Sequence, residues 1–170
     1  GFIIDSYVKY RGMGGSRKLV IAGDGPEYMS LTLKAQRSPH AEDIIFLGHV
    51  DDVVKLYNKA AYLVLASGYE GFGLVILEAM DHFLPVLSSN CESGPYYILS
   101  RKSTPSFNTK YENGLGVLLP TPNNYNSIDY ANGMLHLDSK VTSKYERNDC
   151  LRFFSESEVY PIWEQSICGE

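Results

Sequence analysis

Two glutamates, Glu70 and Glu78, lie on either side of a glycine-bearing turn at the predicted start of a helix. An extended turn over residues 70–73 followed by helix would place the two carboxylates roughly 10 Å apart, since a helix rises about 1.5 Å per residue. The backbone N–H groups between them have no partner inside the helix, and the helix dipole favours an anion there. This pattern predicts a site for a ligand with hydroxyls at both ends and phosphates in the middle, which describes a nucleotide-sugar.

The composition is that of a soluble globular domain, with 170 residues, of which 44% are hydrophobic and 21% charged. A formal net charge of −5 gives no basic surface for nucleic acid, so we expect no nucleic-acid partner. The three cysteines are far apart and form no Cys-x-x-Cys pair, which favours reduced thiols in a cytoplasmic protein over disulfides or structural zinc. No apolar run approaches the roughly 20 residues that a membrane span needs.

Short apolar, β-prone runs alternate with segments of helical length along the first 120 residues. The predicted strands are 18–22, 44–47, 62–66, 86–88 and 116–119, and the predicted helices are 2–10, 27–37, 51–59, 72–80 and 95–99. This alternation predicts an α/β fold, a Rossmann-like parallel sheet with helices on both faces. We expect a single domain over residues 1–170 whose residues 125–170 form C-terminal helices, with ligand-binding loops at the carboxyl ends of the strands.

Seven short segments, in order and at suitable spacing, resemble the signature of the retaining, nucleotide-sugar-dependent glycosyltransferases of GT-B architecture, group 1 or family 4 type. The segments are residues 19–26, 45–50, 56–60, 67–80, 85–86, 93–95 and 113–114. The resemblance implies the C-terminal, donor-binding half of a GT-B fold. It also implies a hexosyltransferase of polysaccharide biosynthesis that uses a UDP- or GDP-type nucleotide-sugar as substrate, needs no cofactor and binds no metal.

The resemblance also implies roles for individual residues. Glu70 would be the catalytic carboxylate beside the donor sugar, and Glu78 would hold the ribose hydroxyls. The remaining donor-binding residues would act largely through backbone atoms, and they are Gly23, Gly25, Gly48, His49, Val50, Gly71, Phe72, Gly73 and Leu74.

Five of these residues also have a simpler interpretation. Glu70 could be a carboxylate that interacts with the helix dipole, and Glu78 a solvated helix residue. The glycines at 23 and 25 could form an ordinary strand-to-helix turn, and His49 could be a surface loop residue. For an isolated glutamate we would favour the simpler interpretation, but the set of motifs reverses that preference. Glu78 follows an apolar run, which predicts a mostly buried helix and a carboxylate that needs a partner.

In the resembled family, an arginine and a lysine clamp the diphosphate, and they come just before the segment that Gly1 begins to match. The first strand and the amino-terminal acceptor domain would also precede it, so we expect the isolated fragment to be inactive. The expected partners are the donor, a glycan or lipid-linked acceptor and that amino-terminal domain, through which any peripheral membrane association would occur. The alternatives are a non-catalytic sugar-nucleotide-binding or interaction module, or another GT-B-like enzyme.

Two positions depart from the family pattern. Phe83 stands where a glycine usually ends the helix, and Tyr97 stands where a subset of the family has a glutamate. The Asp51-Asp52 pair lacks metal-ligand spacing, and we interpret Asp51 as a helix N-cap.

Overall fold

The computed structural model describes residues 1–92, 94–100, 110–113, 116–122 and 126–140. Six helices and six strands lie within these residues, together with a short 3-10 helix at Ala41–Asp43. In chain order they are α1 (Phe2–Gly12), β1 (Leu19–Ala22), α2 (Tyr28–Gln36), β2 (Ile44–Gly48), α3 (Val54–Tyr57), β3 (Leu63–Val64), α4 (Leu74–Asp81), β4 (Val86–Ser89), α5 (Gly94–Ser100), β5 (Tyr111–Asn113), β6 (Gly116–Leu119) and α6 (Ser127–Lys140).

The strands form two hydrogen-bonded sheets. β1 pairs with β2 in parallel, and a four-stranded sheet has the order β3-β4-β6-β5. Within the larger sheet, β3, β4 and β6 are parallel, whereas β5 is antiparallel to β6. The expected α/β architecture with parallel strands is therefore confirmed, and β5 is an addition at the edge that the sequence did not predict.

Helices cover both faces of the larger sheet because its central strands alternate their side chains between two cores. Leu87 of β4, with Val117 and Leu119 of β6, packs against α1 and α6. Val86 of β4 and Leu118 of β6 point to the other face and pack against α3, α4 and α5. All four residues of β4 and all four of β6 are buried, as expected for strands covered on both sides.

The start of α3 differs from the sequence prediction. α3 begins at Val54 with Val53 as its N-cap residue, so the prediction that Asp51 caps this helix is wrong. The Asp51 side chain instead approaches His49 in the preceding loop. Of the C-terminal helices predicted over residues 125–170, α6 is present, and residues 141–170 lie outside the described residues. None of the described helices combines the length and apolar character needed to cross a bilayer.

α4 ends without the expected glycine. Phe83 adopts φ of 57°, a left-handed conformation that costs a non-glycine residue free energy. The N–H of Phe83 donates to the Met80 carbonyl, and the N–H of Leu84 donates to the Ala79 carbonyl, both at 2.9 Å. These two bonds form a Schellman motif, so Phe83 closes the helix in the usual geometry but with a side chain in the glycine position.

Candidate functional site

The loop that follows β3 leads into α4, and the start of α4 is open. Gly73 is the N-cap residue with φ of 83°, and no side chain caps the helix there. The first turn contains no acidic residue, and the Leu74 side chain is 59% exposed. The Ile76 N–H donates to the Gly73 carbonyl at 2.8 Å, whereas the N–H groups before it receive no side-chain cap. Such a helix start favours an anionic ligand.

Gly94, the first residue of α5, lies against the backbone of this loop. A Cβ atom on Gly94 would lie 1.4 Å from the Phe72 carbonyl oxygen, so only glycine fits. The Phe72 side chain packs against the core formed by α3, α4 and α5. Together these contacts fix the backbone that leads into α4. Gly94 is not among the site residues predicted from the sequence, although its position before a proline at a helix start was a signal of a special backbone site.

Glu70 lies half-buried in the same loop, and hydrogen bonds fix its carboxylate. The Ser67 hydroxyl donates to Oε1 of Glu70 at 2.5 Å. The Ser67 carbonyl in turn accepts a hydrogen bond from the Ser89 hydroxyl, at 2.6 Å, at the end of β4. A chain of hydrogen bonds thus ties the Glu70 carboxylate to a buried strand, which fixes its orientation.

Cys91 is fully buried beside Glu70 and is a free thiol. Burial raises the pKa of the Cys91 thiol, and hydrogen bonds from the Ser89 side chain and the Glu70 backbone offset only part of that rise. The thiol therefore stays protonated at neutral pH and is a poor nucleophile. Cys91 packs beneath the site, so the group near it that could act on a ligand is the half-buried Glu70 carboxylate.

Glu78 lies in the second turn of α4 and is exposed, as are Leu74 and Asp81, so the prediction of a mostly buried helix is wrong. The buried face of α4 consists of Ile76, Ala79 and Met80, and Glu78 falls on the opposite side of the helix. The expected partner exists nonetheless, because the Tyr57 hydroxyl donates to Oε2 of Glu78 at 2.9 Å.

The other predicted donor-binding residues lie together at the carboxyl ends of β1 and β2. The Gly23 N–H donates to the Gly48 carbonyl at 2.7 Å, and both glycines have positive φ, of 120° and 67°. Gly25 is exposed, and His49 is also exposed with its Nε2 atom 3.2 Å from a carboxylate oxygen of Asp51. Val50 is half-buried. This group belongs to the β1–β2 ladder, whereas Glu70 to Glu78 follows β3 of the larger sheet.

The described part of the chain contains no cluster of three His, Cys, Asp or Glu side chains that could hold a metal ion. The polar groups of the site are therefore two carboxylates, each fixed by a hydroxyl, on either side of an uncapped helix start.

Residues 6–137 match the family described as glycosyl transferases group 1. The chain belongs to this family. Among its relatives, a Bacillus anthracis N-acetyl-alpha-D-glucosaminyl L-malate synthase is 38% identical over 82 residues, 48% of this chain and 21% of that protein. A lipopolysaccharide 1,6-galactosyltransferase of Salmonella typhimurium is 35% identical over 86 residues, 48% of this chain and 24% of that protein.

A solved structure with the same fold is a variant of S. aureus TarM in complex with fondaparinux, alpha-GlcNAc-glycerol and UDP. It superposes with a TM-score of 0.76 at 18% identity, over 95% of this chain and 31% of that one. The expected GT-B fold and glycosyltransferase family are thereby confirmed. The chain spans about a fifth to a quarter of the length of the two relatives. The roles of Glu70, Glu78 and the glycine loops stay predictions.

Proposed function

We propose that this chain is the donor-binding part of a retaining glycosyltransferase that binds a nucleotide-diphospho-sugar and transfers its hexose to a glycan or lipid-linked acceptor. The observation on which the proposal depends is the uncapped start of α4 between two oriented carboxylates, Glu70 and Glu78. The UDP in the TarM complex supports a nucleotide of the UDP type, with GDP as the other candidate.

The diphosphate is the part of the ligand that the start of α4 suits best. The N–H groups of Leu74 and Val75 have no side-chain cap, and no carboxylate in the first turn competes with an anionic ligand for these donors. The helix dipole adds favourable partial charge at this end. In this proposal the diphosphate binds these amides, the ribose hydroxyls bind the Glu78 carboxylate, and the sugar lies beside Glu70. The loops at Gly23 and Gly48 complete the donor pocket.

In the reaction, the bond between the anomeric carbon and the phosphate oxygen breaks, and the nucleoside diphosphate leaves with the electron pair. An acceptor hydroxyl oxygen then bonds to the same carbon and loses its proton. Positive charge develops on the sugar while negative charge develops on the phosphate. Glu70 stabilises the first and the helix amides stabilise the second, so the contribution of the protein is mainly electrostatic. We propose that no divalent metal or other cofactor takes part.

We propose that the basic residues that clamp the diphosphate lie just before the segment that Gly1 begins, and that the acceptor site lies in an amino-terminal domain, which also provides any contact with a membrane. A cytoplasmic location is part of the proposal, and the free thiol of Cys91 is compatible with it.

Calorimetric titration of the full-length protein with UDP, GDP and ADP tests the proposal. We expect one of the three to bind, and Glu78→Ala to weaken its binding about 10- to 100-fold, because hydrogen bonds to a charged group contribute about 1.5–3 kcal/mol. Glu42→Ala removes an exposed glutamate before β2 and should leave the affinity unchanged. Failure of all three nucleotides to bind would contradict the proposal. Binding without transfer would instead favour the non-catalytic module.

A further inference from the structure

Tyr57 and Glu78 are joined by a hydrogen bond between two helices, although they are 21 residues apart in the chain. Tyr57 is the last residue of α3, and its side chain is buried, with 8% exposed. Glu78 is exposed on α4. A buried phenol therefore donates to a carboxylate that faces solvent, so the contact satisfies the phenol and also restrains a carboxylate that a ligand can reach.

The Tyr57 ring is itself held in place. It stacks on the His82 ring, with the ring centroids 5.7 Å apart and an angle of 28° between the planes. His82 follows Glu78 by four residues, so both side chains lie on one side of α4. Burial raises the pKa of Tyr57 to about 12, and the hydrogen bond to Glu78 adds to the rise. The phenol therefore keeps its proton at neutral pH and remains a donor.

We propose that Tyr57 is a positioning residue that orients the Glu78 carboxylate for two neighbouring hydroxyls of the donor's pentose. This inference rests on the proposed function. Among the residues that the structure describes, the Tyr57 hydroxyl is the group that donates to the Glu78 carboxylate, and Oε2 accepts the bond. Oε1 and the remaining lone pair of Oε2 are then available to a ligand.

The physical gain is preorganisation. A free glutamate side chain has several rotatable bonds, and fixing them when a ligand binds opposes binding. A carboxylate that Tyr57 already orients loses less conformational freedom when the ligand binds, because the positions of its oxygens are fixed beforehand. The effect should depend on the pentose hydroxyls, since these are the groups that the oriented carboxylate would accept.

The test is Tyr57→Phe in the full-length protein, which removes one oxygen atom and keeps the ring and its packing. The probes are whichever of UDP, GDP and ADP binds most tightly and its 2′,3′-dideoxy counterpart, both measured by calorimetry. We expect Tyr57→Phe to weaken binding of the intact nucleotide about 3- to 10-fold, which corresponds to the free energy of one hydrogen bond. The dideoxy nucleotide should bind to the variant and to the wild type with the same affinity. In a Glu78→Ala background, Tyr57→Phe should have no additional effect.

Tyr7→Phe is a matched control, because it also removes a buried hydroxyl, one that donates to the Arg17 carbonyl at 3.0 Å, far along the chain from α4. It should change neither affinity. Equal weakening of both nucleotides by Tyr57→Phe would show a general structural role and overturn the inference, as would an unchanged affinity for the intact nucleotide. If the wild type binds none of the three nucleotides, the proposed function itself fails and the inference fails with it.

Discussion

Replacing Gly94 by alanine should disrupt the proposed site from beneath. A Cβ atom at this position would lie 1.4 Å from the Phe72 carbonyl oxygen and 2.2 Å from its carbonyl carbon. Non-bonded heavy atoms normally lie about 3.5 Å apart, so the Phe72 backbone would have to move by about 2 Å. Phe72 directly precedes Gly73, the N-cap of α4, so the movement would displace the amides proposed to bind the diphosphate.

The expected effects follow from that displacement. Misplacing a positioning group by about 1 Å can lower an enzyme's rate about 100-fold, so we expect Gly94→Ala to lower the transfer rate at least that much. Overpacking a well-packed contact costs about 1–3 kcal/mol, which should appear as a lower free energy of unfolding in urea. Transfer and nucleotide affinity would be measured in the full-length protein at a temperature at which circular dichroism shows the variant folded.

Gly12→Ala provides the control, since a Cβ atom on Gly12 would meet nothing within 4 Å. Gly12 is the last residue of α1, and alanine there should leave activity unchanged and stability unchanged or slightly higher. If Gly94→Ala kept the wild-type affinity, transfer rate and stability, this prediction would be wrong, because α5 would then not constrain the loop that leads into α4.

Three further predictions concern the end of α4, the ion pairs of Glu112 and the carboxylate of Glu70, which is proposed to be catalytic. Phe83→Gly should be more stable than Phe83→Ala by about 1 kcal/mol in urea unfolding, because both remove the ring and only alanine keeps a Cβ atom at positive φ. A hydrogen bond from Lys140 and the nearby charge of His136 lower the pKa of Glu112 in the folded protein below its ordinary 4.5. The interactions of Glu112 therefore add stability above pH 4.5, and this stability is lost as the pH falls through the lower pKa of the folded state. Glu112→Gln should flatten this part of the curve of unfolding free energy against pH. Glu70→Gln should lower the transfer rate about 100- to 1,000-fold while nucleotide affinity, measured by calorimetry, changes less than about threefold. An equal loss of affinity and rate would contradict the role given to Glu70.

Much of the fold could be predicted from local patterns. β6 was predicted with its observed bounds and β4 within one residue, because β4 begins with Val86 and Leu87 directly after Pro85 and β6 is an apolar run that begins at Gly116. β5 was missed because Tyr111–Asn113 has three residues and only one apolar side chain, so its pairing is set by the neighbouring β6. Asp51 was assigned as a cap because its residue type suits one, yet α3 forms only one turn, which starts later.

The site shows a similar division between local and long-range information. Glu70 and Glu78 stand out in the sequence because they bracket a turn and a helix start. The exposure of Glu78 was missed because four apolar residues precede it, and the number of apolar residues outweighed their periodicity along the helix. The contact of Tyr57 with Glu78 and that of Gly94 with Phe72 each join residues about 20 positions apart. Such contacts depend on how helices pack on the sheet, which no local pattern specifies.

A crystal structure of the full-length protein with its bound nucleoside diphosphate would show directly whether the start of α4, between Glu70 and Glu78, binds the donor. We expect the diphosphate to bind the backbone amides of Leu74 and Val75 at the start of α4. The pentose hydroxyls should contact the Glu78 carboxylate, and Glu70 should face the terminal phosphate, to which the sugar is attached in the donor. A nucleotide bound elsewhere, or bound here with Glu78 turned away from the pentose, would contradict this prediction.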